Sequence, residues 1–248
     1  MIARAQPWSS EGGDVGVLLL HGFTGSPVSM RPLAEALAQA GFTVELPLLP
    51  GHGTQWRDLA RTTWHDWAQE ATQALEHLRA RTQARVVVGL SMGGTLALHL
   101  ASTHGDDLSG IVVINPLLFS SDPRLRLLPV LRYVVPSFPG IGNDIAKPGA
   151  DERAYARMPL KALHSLTQLW RLVSGSLAEI KTPVLVFTSR QDHAVEPENS
   201  AAVLAGISST DVTQVWLERS YHVATLDYDA DLLTDRTIAF VTRVTNRE

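Results

Sequence analysis

Residues Arg85–Leu90 (RVVVGL) run straight into Gly89-Leu90-Ser91-Met92-Gly93-Gly94, and the helix-like run Thr95–Thr103 follows. This strand–turn–helix join restricts the fold more than any other stretch. A short continuous apolar run marks a strand covered on both faces, as parallel sheets require. A chain that reverses sharply from such a strand into a helix holds its turn residue in strained backbone geometry. Side chains two positions to either side would collide, and Gly89 and Gly93 have none. Ser91 is left exposed at a helix N-terminus, where N–H groups and the helix dipole favour negative charge.

The rest of the chain keeps the same rhythm. Val15–Leu20 is a second continuous apolar run, followed by a helical pattern over Ser29–Ala40 with Met30, Leu33 and Leu37 on one face and Gly41 as its stop. Phe42–Leu46 reads as a strand. Thr63 and Asp66 form a capping-box pattern ahead of Trp64, Trp67, Ala71, Leu75 and Leu78 at helical spacing. Ile111–Asn115, Pro183–Ser189 and Thr213–Glu218 read as further strands, and Asp229–Thr245 as a closing helix. Strands alternating with helices predict right-handed βαβ crossovers and a mostly parallel, doubly wound α/β sheet.

The rhythm breaks between Pro116 and about Ser176. No strand pattern shows there, and Pro116, Pro123, Pro129, Pro136 and Pro139 punctuate the first half. Its second half, roughly Asp151–Ser174, reads as short helices. An interruption of that length predicts a functional insertion. The expected organisation is one α/β core, residues 1–116 and 177–248, with a cap at 117–176.

Composition excludes several classes. The net charge of −4 gives no basic face for nucleic acid, so no nucleic-acid partner is expected. The absence of cysteine removes disulfides, thiol nucleophiles and thiolate metal sites. Met1–Asp14 holds no apolar stretch like a signal peptide, and no segment has the roughly 18 apolar residues of a membrane span. A soluble, cytoplasmic chain is expected, with no cofactor and no metal.

Gly-x-Ser-x-Gly between a strand and a helix is the nucleophile elbow of the α/β-hydrolase fold, although a glycine-rich turn can also hold an ordinary serine. A serine nucleophile needs a base, and the base an orienting acid. That fold takes them in the order serine, acid, histidine. Asp192 follows the strand Pro183–Ser189, and His222 follows Thr213–Glu218, both past strand C-termini where open α/β sheets build their sites. Asp192 is therefore the candidate acid and His222 the candidate base. His193 competes as base, and Glu218 and Asp227 compete as acid. The oxyanion of an acyl-transfer intermediate needs donors already in place. The N–H of Met92 and that of Phe23, in the loop His21-Gly22-Phe23-Thr24-Gly25, are the candidates.

His52, in Gly51-His52-Gly53, has no ligand partners at metal spacing and reads as a loop-forming residue near the site. Trp64 and Trp67 read as helix core. Leu125, Leu127, Leu128, Val130, Leu131, Val134 and Val135 form an apolar cluster interrupted by Arg124, Arg126 and Arg132. Two readings stay open for it: a roof over an acyl channel that touches lipid surfaces, or the cap's own packing core.

Together HGFTGSP (His21–Pro27), SMRPLAEALAQAGF (Ser29–Phe42), GHGT (Gly51–Thr54), GLSMGGTLAL (Gly89–Leu98) and SYHVATLDYD (Ser220–Asp229) resemble the bacterial monoacylglycerol lipases and thermostable carboxylesterases. The resemblance implies an α/β-hydrolase with Ser91, Asp192 and His222 as triad and Phe23 and Met92 as oxyanion hole. It implies hydrolysis of a small acyl ester, monoacylglycerol above all. The stretches Gly140–Asp144 and Asp151–Tyr155 resemble the lipase cap, and there Ile141 and Glu152 match the positions that shape the pocket and recognise glycerol. A general carboxylesterase is the nearest alternative. Acyltransferases, thioesterases and C–C hydrolases share the triad, and a non-catalytic receptor on the same fold is the alternative of another class. Ser91 stands against the dehalogenase branch, whose nucleophile is aspartate.

Overall fold

The computed structural model describes residues 5–246; residues 1–4 and 247–248, the outer ends of the two expected core segments, lie outside the described residues. Among the described residues nine strands form in chain order: β1 Trp8–Ser10, β2 Val15–Leu20, β3 Thr43–Leu46, β4 Ala84–Leu90, β5 Gly110–Ile114, β6 Ser137–Pro139, β7 Arg157–Pro159, β8 Val184–Ser189 and β9 Val212–Leu217. Seven build one sheet in the order β1-β3-β2-β4-β5-β8-β9. All its pairings are parallel except that of β1 with β3. The α-helices are α1 Arg31–Gln39, α2 Trp56–Leu59, α3 Trp64–Arg79, α4 Met92–His104, α5 Leu128–Leu131, α6 Leu160–Ser176, α7 Glu198–Gly206 and α8 Ala230–Thr245.

The period of two in each strand sorts the core into two layers. Leu18, Leu20, Val87, Ile111, Val113 and Val186 point to the side of α3, α4 and α6. Val17, Leu19, Val86, Val88, Val112, Ile114 and Phe187 point to the side of α1 and α8. Helix α4 carries apolar residues all round because it packs between the sheet and α6, so it has little solvent face to pattern. The Thr63–Asp66 capping box forms at the start of α3, with the Asp66 carboxylate accepting the Thr63 N–H at 2.7 Å.

Register brings the strand ends to one edge. Leu20 faces Gly89, Leu90 faces Ile114, Ile114 faces Phe187 and Ser189 faces Leu217. The chain leaves β2 toward β3 on one side and returns past β2 to β4 on the other. The topological switch point therefore lies between β2 and β4, where an open parallel sheet leaves a crevice.

The segment between β5 and β8 departs from the sequence reading in two ways. It contains the antiparallel pair β6–β7, joined over Ser137↔Pro159. Three-residue strands that each end in proline carry too little alternation to be seen. The short helices expected over Asp151–Ser174 are instead irregular chain, then β7, then the single 17-residue helix α6. Edge strand β1, also three residues long, was not expected either. No helix among the described residues is long and apolar enough to cross a membrane.

Candidate active site

Ser91 sits at φ 57°, ψ −119°, a conformation that L-residues rarely adopt. Its surroundings leave no alternative. A Cβ on Gly89 would lie 2.1 Å from Gly93 O, and one on Gly93 would lie 2.1 Å from Leu20 O. The turn is held by Ser91 N–H donating to Ile114 O at 2.9 Å and by Ser91 O accepting the Thr95 N–H at 3.1 Å. Among the described residues Ser91 Oγ takes part in no hydrogen bond, and it lines a cavity of about 90 Å³ shared with His222.

Asp192 and His222 meet as the strand ends predicted. Asp192 Oδ2 lies 2.7 Å from His222 Nδ1, while Oδ1 accepts the N–H groups of Ala194 (2.9 Å) and Val195 (2.7 Å). A carboxylate can only accept, so Nδ1 of the neutral imidazole carries the proton and Nε2 keeps its lone pair. Burial disfavours the imidazolium most strongly. Asp192, through charge and hydrogen bond, then Glu152 and Asp144, together outweigh that cost and raise the His222 pKa above its ordinary 6.5. The competitors are placed elsewhere. His193 pairs with Asp144 at 2.8 Å, Glu218 pairs with Arg190 at the surface, and Asp227 spends its carboxylate on four backbone N–H groups.

Asn115 joins the end of β5 to the end of β8 and to the His222 loop, a role the sequence reading did not find. At φ 45° beyond β5, its Nδ2 donates to His222 O at 2.8 Å and Ser189 Oγ at 3.0 Å, and its Oδ1 accepts the Ser189 N–H at 2.8 Å. The only signal was an asparagine, the residue besides glycine most tolerant of positive φ, directly after a buried strand.

On the other wall, the His21–Gly25 loop is braced by two buried imidazoles. His21 Nδ1 lies 3.0 Å from Gly22 O, and Nε2 accepts the Leu49 N–H at 3.2 Å. Only the neutral ring can do both. Burial holds the His21 pKa down at about 4, partly offset by the Gly22 carbonyl. His52 meets His21 and Trp67 edge-on and bonds to Leu49 O and Pro50 O, the loop-forming place expected for it. Trp67 is core, whereas Trp64 is only half-buried. Phe23 N–H and Met92 N–H have no acceptor among the described residues, and Phe23 lines the Ser91 cavity.

Ile141 and Glu152 also line that cavity. Glu152 and Asn143 bond reciprocally, Asn143 N–H to Oε1 at 2.7 Å and Glu152 N–H to Asn143 Oδ1 at 2.8 Å. Burial raises the Glu152 pKa, against the pull of the Asn143 N–H and His222. Tyr155, another contact not foreseen, ties the segment between β5 and β8 to the loops after β2 and β3. Its N–H donates to Thr24 O at 3.0 Å and its hydroxyl to Gly51 O at 2.9 Å. A separate cleft of about 590 Å³, lined by Leu118, Leu125 and Trp170 among others, contains none of the candidate residues.

The family model described as serine aminopeptidase, S33, matches residues 14–229. The chain is 45% identical over 245 residues to a thermostable monoacylglycerol lipase of Bacillus sp. (strain H-257), covering 97% of this chain and 95% of the relative. It is 28% identical over 244 residues to a carboxylesterase of Bacillus subtilis (strain 168), covering 98% of each. Among solved structures, one from the work on LipS and LipT, two metagenome-derived lipolytic enzymes, superposes with a TM-score of 0.95 at 40% identity, covering 98% of this chain and 99% of that one. The chain belongs to this serine aminopeptidase S33 family of the α/β-hydrolase fold, beside its lipases and carboxylesterases.

Proposed function

We propose that the chain is a serine hydrolase of carboxylic esters, with monoacylglycerol as its substrate class. The observation that carries this reading is the 2.7 Å Asp192–His222 contact at a cavity shared with a strained Ser91 whose Oγ is unbonded. In the proposed cycle His222 Nε2 takes the proton as Ser91 Oγ attacks the ester carbonyl. The N–H groups of Phe23 and Met92 receive the oxyanion. The imidazolium then protonates the leaving alcohol, and water releases the acid from acyl-Ser91 by the reverse sequence.

Glu152 and Ile141 are proposed to meet the alcohol portion. A buried carboxyl at the cavity wall suits a polyol, and the lipase relative supports glycerol as that polyol. Residues 117–176 are proposed as a cap over this cavity. Leu127 is 62% and Val130 70% exposed, while Leu128 is buried, so the apolar cluster is partly packed inward and partly on the surface. Its exposed half, with Arg126 and Arg132, is a proposed face for lipid contact. A cytoplasmic location goes with a chain that has no cysteine to oxidise.

Two experiments test the reading. Ser91 should be labelled by a fluorophosphonate, and folded protein that resists labelling would overturn it. A panel of mono-, di- and triacylglycerols, aryl esters and an aminoacyl anilide should show monoacylglycerols turned over fastest. Faster turnover of simple esters would favour the carboxylesterase alternative, and of the anilide a peptidase.

A further inference from the structure

Asp144 belongs to the insertion, yet its carboxylate is built into both loops that carry Asp192 and His222. Oδ2 accepts the N–H of His193 at 3.0 Å and that of His222 at 3.2 Å. Oδ1 lies 2.8 Å from His193 Nδ1. The Asp144 backbone carbonyl accepts the Val223 N–H at 3.1 Å. The side chain is 14% exposed, and the His193 ring, packed edge-on against Tyr221 at 4.5 Å, lies on its outer side. Asp144 does not line the Ser91 cavity.

Resting on the reading of His222 as the base, we propose that Asp144 is a positioning residue for catalysis. It fixes the main chain at His222 and at the neighbour of Asp192, and it supplies a further anion for the imidazolium that forms as Ser91 attacks. The geometry distinguishes it from ordinary loop packing. One carboxylate spans the acid loop and the base loop, and its charge reaches the ring. The charged and titratable groups around that imidazole are Asp192 and His193 from the loop after β8, Asp144 and Glu152 from the insertion, and Tyr221 from its own loop. Three of them are carboxylates, and Asp144 is the one that also holds the His222 backbone. An ångström of drift in a base costs on the order of 100-fold in rate.

The experiment compares wild type with Asp144→Asn and Asp144→Ala by fluorophosphonate labelling rate, by kcat and KM on one monoacylglycerol, and by the pH profile of kcat/KM. The asparagine variant keeps an acceptor oxygen and removes the charge. Its labelling rate and kcat should fall roughly 10-fold with KM within about twofold, because the cavity wall is untouched. Its acid limb should move to lower pH, since a lost anion lowers the His222 pKa. The alanine variant should fall roughly 100-fold; if it does not fold, the asparagine variant decides alone. Labelling at the wild-type rate, or slower labelling with an unmoved acid limb, would overturn the role of Asp144 while leaving the serine-hydrolase reading intact. Wild-type protein that resists the probe would overturn both.

Discussion

Acid should destabilise this protein through its His21–Gly25 loop before its carboxylates titrate. His21 is fully buried, with Nδ1 on a carbonyl and Nε2 accepting an N–H, so a second ring proton would face the Leu49 N–H directly. Its pKa is held at about 4 in the fold against 6.5 for the free side chain. Because the folded value is the lower one, the unfolded chain takes up the proton first. The His21 contribution is therefore complete above pH 6.5 and is lost as pH falls toward 4, at about 1.4 kcal/mol per pH unit. Between pH 6.5 and 5 that amounts to about 2 kcal/mol, and His52, also buried and depressed, adds in the same direction. His222 has the opposite sign: its raised pKa stabilises at low pH and is lost as pH rises above 6.5. Urea unfolding at pH 7, 6 and 5 reads the slope. In His21→Gln, whose amide oxygen can still accept the Leu49 N–H, the slope should drop by about one proton's worth, ~1.4 kcal/mol per pH unit. A variant with the wild-type slope would refute the assignment.

Four further outcomes are expected. Ser91→Ala should lose on the order of four to six decades of turnover at an unchanged melting temperature, because triad members act as a unit. Gly93→Ala should destabilise by about 3 kcal/mol or more, since its Cβ would meet backbone atoms of Leu20 and His21 that cannot swing away; urea midpoints check this. Asn115→Ala strands Ser189 N–H and His222 O in the interior, and should cost about 2 kcal/mol or more together with a lower kcat. The acid limb of kcat/KM should have its midpoint above pH 6.5, in keeping with the raised His222 pKa; a midpoint below pH 6 would refute it.

What the sequence reveals here depends on how local the cause is. The Ser91 turn is legible because much of its constraint acts within five residues, where Gly89 must clear the Gly93 backbone, although Gly93 itself answers to Leu20 of β2. The core strands are legible for the same reason, since continuous runs such as Val15–Leu20 answer to burial on both faces. Asp192 and His222 follow at one remove, from strand ends that the register aligns. The segment between β5 and β8 resists because its order comes from contacts far along the chain. Tyr155 reaches Gly51, and Ala146 N–H reaches Asp227, each across some eighty residues or more. Asn115 was legible as a strand end and illegible as a brace, because its partners, the last residue of β8 and His222, lie far along the chain.

The Ser220–Asp229 stretch, which sequence marks so strongly, has a physical account of its own. A loop that buries its main chain must satisfy every N–H, and it has no ladder to do so. Here its own aspartates serve, together with Asp144, which takes the His222 and Val223 N–H groups. Asp229 Oδ2 accepts the Arg219 N–H at 2.8 Å and the Ser220 hydroxyl at 3.0 Å, while Ser220 Oγ accepts the Asp229 N–H at 2.8 Å, closing the loop at its base. Asp227 takes Tyr221 N–H from inside the loop and Ala146 and Lys147 N–H from the segment between β5 and β8. Thr225 anchors the tip to Ser29 O at 2.6 Å. His222 lies between these ties, so its backbone is fixed before any ligand arrives, and the ordering cost is met in folding rather than in binding. Each tie needs a short side chain of one polarity at one offset. That requirement, and not contact with substrate, explains why serine and aspartate sit where they do around the histidine.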